Sequence, residues 1–149
     1  MEREKMTKQA YKEKTAPYRA WLNSISIPVA LIVLFIAVFL GLTVNAAGMI
    51  IFVFAIITHV NYKKIQAPKI CHVAPILYYV YNVVSVFYVM SLIVYPQVNI
   101  VSALLSLTNL VLLILVIAFY FVAAQAIKKQ FPRMKEDYNE AVQAYKGKK

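Results

Sequence analysis

Residues 70–127 read ICHVAPILYYVYNVVSVFYVMSLIVYPQVNIVSALLSLTNLVLLILVIAFYFVAAQAI, 58 positions without one Asp, Glu, Lys or Arg. A helix crossing the hydrocarbon core of a bilayer needs ~20 apolar residues, so this run holds two such helices and is too long for one. The PQVN at 96–99 is the natural turn. Helices are therefore predicted over 74–95 and 100–127, the second long enough to tilt or to project beyond the bilayer.

The other uncharged run, residues 20–62, divides the same way. A near-continuous apolar stretch over 25–42 meets the small, polar TVNAAG at 43–48, and apolar residues resume from Met49. This predicts a helix at about 24–43, a turn at about 44–48 and a second helix at about 49–62. The second is short for a span, which a thinner bilayer or extension into Lys63 and Lys64 would accommodate. All sixteen Lys and Arg and all six Asp and Glu fall in residues 2–19, 63–69 and 128–149. Both predicted outer turns are uncharged, so the positive-inside bias places the three charged segments in the cytoplasm. Tyr18, Trp21 and Tyr62 suit an aromatic belt on that side.

The expected fold is an all-α integral membrane protein, with four transmembrane helices as two hairpins and a C-terminal cytoplasmic amphipathic helix. Residues 1–20 form a cytoplasmic N-terminal arm, 21–62 the first hairpin, 63–71 a basic cytoplasmic linker, 72–127 the second hairpin and 128–149 the cytoplasmic tail. The two hairpins repeat in architecture and not in sequence. In the tail, Phe131, Met134, Tyr138, Ala141, Val142 and Tyr145 recur mostly at steps of three and four, predicting a helix started near Pro132 and released by Gly147. Its stripe would lie in the headgroup layer or dock on a partner.

With 149 residues and a mean hydropathy of +0.66, no separate soluble domain is expected. The net charge of +10 sits beside membrane segments instead of along a groove-tracking surface, so no nucleic-acid partner is expected. No short apolar core with a small-residue cleavage site precedes the first long run, which is expected to stay as a signal-anchor. The single cysteine, Cys71, allows no internal disulfide and no CxxC chemistry; it is a palmitoylation candidate or an idle thiol. No Asn-x-Ser/Thr sequon occurs.

Charge-free spans argue against proton-coupled pumps, small multidrug exporters and voltage sensors, which need an intramembrane ion to couple movement to energy. No phosphate-binding loop, nucleophile elbow, HExxH or paired-carboxylate signature is present, so no catalytic residue, metal site or enzymatic activity is expected. His59 and His72 flank the linker and are the one candidate pair for axial haem b ligation; interfacial hydrogen bonding is the simpler role. Tyr78, Tyr81, Asn82, Ser85 and Tyr88 share a face of the third helix, and Ser102, Ser106 and Asn109 share one on the fourth. Polar side chains in lipid prefer to face another helix, so these stripes predict a seam between helices three and four or with a neighbour.

The favoured expectation is a small non-catalytic polytopic protein acting as a structural, accessory or assembly subunit of a larger membrane complex. Its partners would be the bilayer and other membrane-protein subunits or further copies of itself. Alternatives are an oligomeric passive channel lined by Tyr78, Asn82, Ser85, Ser106 and Asn109, a haem-carrying electron-transfer subunit, and a membrane-shaping or trafficking protein. For the last, two hairpins followed by an amphipathic helix resemble the layout of reticulon-like and Rab-acceptor-like hairpin proteins.

Overall fold

The computed structural model describes residues 7–43, 46–95 and 99–146. The order is α1 (Lys8–Phe39), α2 (Ala47–Lys64), a 3₁₀ turn (Lys69–His72), α3 (Val73–Val94), α4 (Ile100–Gln130) and α5 (Met134–Lys146), with no strand among the described residues. Among the described residues, three segments are long and apolar enough to cross a membrane: Lys8–Phe39, Lys69–Val94 and Ile100–Gln130. α2 is 18 residues and spends its last turn on Lys63 and Lys64. It stands outside that group.

α1 starts 16 residues before the predicted start at 24. Thr7 caps it, its hydroxyl accepting from the Ala10 N–H at 3.2 Å. Lys, Gln, Glu and Ala then supply good helix formers through the charged arm. Pro17 and Pro28 lie inside the helix and leave the carbonyls of Glu13 and Ser24 without their usual donor. The helix ends four residues before the expected 43. Gly41 has φ +76, and the Leu42 N–H reaches the Ala37 carbonyl at 2.9 Å, a Schellman stop that glycine accepts without strain. Gly41 therefore ends the helix.

α2 ends by the same geometry, with Gln66 at φ 51 and the Ala67 N–H on the Tyr62 carbonyl at 2.9 Å. α4 begins with a capping box. The Asn99 side chain accepts from the Ser102 N–H at 2.8 Å, and Ser102 Oγ accepts from the Asn99 N–H at 3.1 Å. Of the predicted turns, Val44, Asn45 and residues 96–98 lie outside the described residues, as does the expected release at Gly147.

The bundle buries several hydroxyls while its apolar helices turn large hydrophobic side chains outward. Its largest fully buried side chains include Tyr62, Tyr120, Thr15, Thr58 and Ser24, while Val33, Phe39, Met49, Ile93 and Ile100 are each more than half exposed. Water would penalise that arrangement, and lipid favours it. α4 packs on both α1 and α3, and α2 lies against α1. One buried cluster joins Ile27 and Leu31 of α1, Ile51 and Ala55 of α2, Ala74 and Tyr78 of α3, and Leu113, Val116 and Tyr120 of α4. A second, at the basic end, joins Ala20, Tyr62, Cys71, Ala123, Ile127 and Met134. Burial thins toward the opposite end.

Candidate functional site

The polar side chains gather at two levels. Near the basic end, Tyr62 and Ser24 share a buried hydrogen bond of 2.6 Å, and Ser24 also donates to the Ala20 carbonyl at 2.7 Å. This ties α2 to α1 where their side chains are out of reach of water. His59 Nδ1 lies 3.2 Å from the Tyr79 hydroxyl, linking α2 to α3. Phe52 adds ring contacts to Tyr78 and Tyr79 at 6.3 and 5.9 Å. The 3₁₀ turn places Cys71 Sγ 3.7 Å from the Ala123 carbonyl. Cys71 is fully buried, so its thiol is a packing group in this conformation and is not presented to a modifying enzyme.

His59 and His72 do come together. Their ring centroids are 5.2 Å apart with planes at 56°, and Tyr62 stands edge-on to His72 at 5.9 Å. Among the described residues, no group of three His, Cys, Asp or Glu gathers where a metal ion could sit.

At mid-bundle, Ser85 Oγ donates to Asn109 Oδ1 at 3.3 Å, a bond between α3 and α4. Asn82 turns back to its own helix and donates to the Tyr78 carbonyl at 2.7 Å. Tyr78 is buried with Tyr81 stacked on it at 5.9 Å, Tyr88 is half-buried, and Ser106 is exposed on α4. Ser102 is occupied by the Asn99 cap. The polar residues of the two stripes thus divide between interhelical bonding, caps and outward faces. Within one chain they form no continuous path.

The tail stripe is covered by the chain itself. Tyr145 stacks on Tyr11 at 4.6 Å, and Tyr138 lies 4.6 Å from Tyr18, so α5 runs along the first half of α1. Met134 and Ala141 are buried, and Phe131 and Val142 are half-buried. Lys14 Nζ meets Glu140 Oε2 at 3.0 Å and holds that carboxyl below its ordinary pKa. Arg133, bonded to Glu136 at 3.1 Å, is held more firmly protonated.

Two features had no clear signal in the sequence. Gln66 occupies a left-handed position usually given to glycine. Tyr120 is fully buried, and its hydroxyl has no hydrogen-bond partner among the described residues. Asn99, by contrast, carried a legible sign, since Asn immediately before an apolar run is a preferred N-cap. No protein-family model, curated protein or solved structure matches this chain.

Proposed function

We propose that this chain is a non-catalytic four-span membrane protein that packs against the helices of neighbouring subunits, as a structural or assembly component of a larger membrane complex. α2 is the short fourth span. Its length of about 27 Å falls just below the ~30 Å hydrocarbon thickness and brings Lys63 and Lys64 to the interface as anchors. Both termini and residues 63–69 lie in the cytoplasm, and α5 is an amphipathic helix on that side, its apolar stripe turned to α1.

One observation carries this reading. α3 bears Tyr81, Asn82, Ser85 and Tyr88 at membrane depth, yet only 6% of its most apolar stretch is buried by its own chain. The figures for α1 and α4 are 22% and 28%. Asn82 and Ser85 are bonded to Tyr78 and Asn109, but the hydroxyls of half-buried Tyr81 and Tyr88 make no hydrogen bond among the described residues. A helix carrying them gains by packing against another, where hydroxyls find partners that lipid tails lack. The occupant is a transmembrane helix of a neighbouring subunit. A photoreactive residue at Tyr88, used in native membranes, should give a discrete protein adduct, while one at Phe35 on α1 should give lipid adducts alone. Lipid adducts alone from position 88 would overturn the proposal.

A further inference from the structure

A cleft of about 830 Å³ opens between the first half of α1 and the end of α2, with Phe131 at its edge. Its lining is graded. Lys12, Arg19 and Lys64 contribute cations, Asn23 and Asn61 amides, and Leu22 and Ile57 an apolar floor. Leu22 and Ile57 are each 45% exposed, on a surface continuous with the outward-facing apolar residues of both helices.

The order along each helix is the same. Arg19 lies three residues below Leu22, about 4.5 Å of helix rise, and Lys64 lies seven beyond Ile57, about 10 Å. That brackets the ~5–8 Å of headgroup region that each leaflet adds to the hydrocarbon core. The one acid in the lining, Glu13, accepts a bond from Gln9 Nε2 at 3.2 Å. Among the described residues, Lys12, Arg19 and Lys64 have no carboxylate within 4.0 Å; Arg19 leans on Tyr11, its guanidinium 5.6 Å from the ring centre. Uncompensated cations above amide donors, above an apolar floor that opens sideways, match a phosphodiester headgroup with its acyl chains.

We propose that this cleft is a binding site for one anionic phospholipid, with its phosphate between Arg19 and Lys64 and an acyl chain along Leu22 and Ile57. The inference uses the placement of the apolar helices in a bilayer and does not depend on any protein partner. The cations have a structural role here: the lipid neutralises Arg19 inside α1 and Lys64 at the end of α2, and fills the gap between the two helices.

The test is native mass spectrometry of the full chain released from nanodiscs of phosphatidylcholine with 10 mol% phosphatidylglycerol, a composition chosen for the assay. The wild type should retain one phosphatidylglycerol in preference to phosphatidylcholine. Arg19→Gln with Lys64→Gln should lower that retention by about 25-fold, since each cation near an anionic surface contributes roughly a fivefold factor. Lys128→Gln with Lys129→Gln removes the same charge outside the cleft and should leave retention unchanged. Equal loss in both pairs would mean diffuse attraction and overturn the site, as would equal retention of the two lipids or an acidic protein held in place of lipid. Circular dichroism checks that each variant folds. If the double variant does not, Lys64→Gln alone, in an exposed last turn, should lose about fivefold, and no loss from it overturns the site.

Discussion

Tyr62 and Tyr120 bury the same hydroxyl with opposite outcomes. Tyr62 finds Ser24 at 2.6 Å, while Tyr120 finds no partner among the described residues. Removing the first hydroxyl removes a bond, and removing the second relieves an unpaired polar group. Tyr62→Phe is expected to destabilise the bundle by roughly 1 kcal/mol, and Tyr120→Phe to leave it unchanged or stabilise it by about 1 kcal/mol. Unfolding in mixed micelles compares the two; equal losses from both would refute this assignment. Gln66 offers a second contrast. A side chain held at φ 51 is strained, and its carbonyl accepts from Gln130 Nε2 at 3.2 Å, a bond to the backbone that glycine preserves. Gln66→Gly should therefore stabilise by roughly 0.5–1 kcal/mol in the same assay. Neither position could be picked from the sequence, because a partner for a buried hydroxyl and the sign of φ are settled by tertiary neighbours.

At the scale of the element, apolar runs located α3 and α4 closely, and α2 within two residues at either end. The same signal put the start of α1 far too late. Hydropathy reports which residues sit in lipid, whereas α1 continues below the apolar zone on helix propensity, its Thr7 cap and the cover supplied by α5. The tail stripe was legible as a stripe, yet its occupant was not, since spacing of three and four names a face and no partner. Replacing Tyr138 and Tyr145 with Ala should free α5 and raise amide exchange across residues 8–20, with the membrane segments unaffected. Unchanged exchange there would argue against the docking. The Lys14–Glu140 bridge adds a pH dependence. Glu140 is held below its ordinary value of 4.5, so its contribution is fully present above that pH and is lost as the pH falls through the depressed value. Exchange protection of α5 should drop on that acid side, and Glu140→Gln should abolish the dependence; a drop starting well above 4.5 would exclude Glu140 as its source.

For the whole molecule, the surface of the apolar helices suits lipid: Val33, Phe39, Ile93 and Ile100 face outward, while Tyr62, Tyr120, Ser24 and Thr58 are buried with Ile27, Leu31, Val116 and Ile127. Charge placement made the membrane class legible from the sequence alone. The number of spans was less so, because α2 combines a borderline length with two lysines in its last turn. The polar stripes were visible as residues sharing a helix face. Their division into a Ser85–Asn109 bond, an Asn99 cap and an uncovered α3 depends on helix rotation, which spacing leaves open. If four spans form, single cysteines at positions 45 and 97, introduced into a Cys71→Ala background, should label with an impermeant maleimide from the non-cytoplasmic face of the membrane. Cysteines at 66 and 148 should label only after lysis. Labelling of 45 and 66 from the same side would place α2 on the surface and leave three spans. The most direct test of the central claim is the mass of the particle purified in mild detergent. The account predicts the 16.9 kDa chain in a defined stoichiometry with other membrane subunits, separating from them when Tyr81 and Tyr88 are replaced by Leu. A stable, folded monomer carrying lipid alone would contradict it.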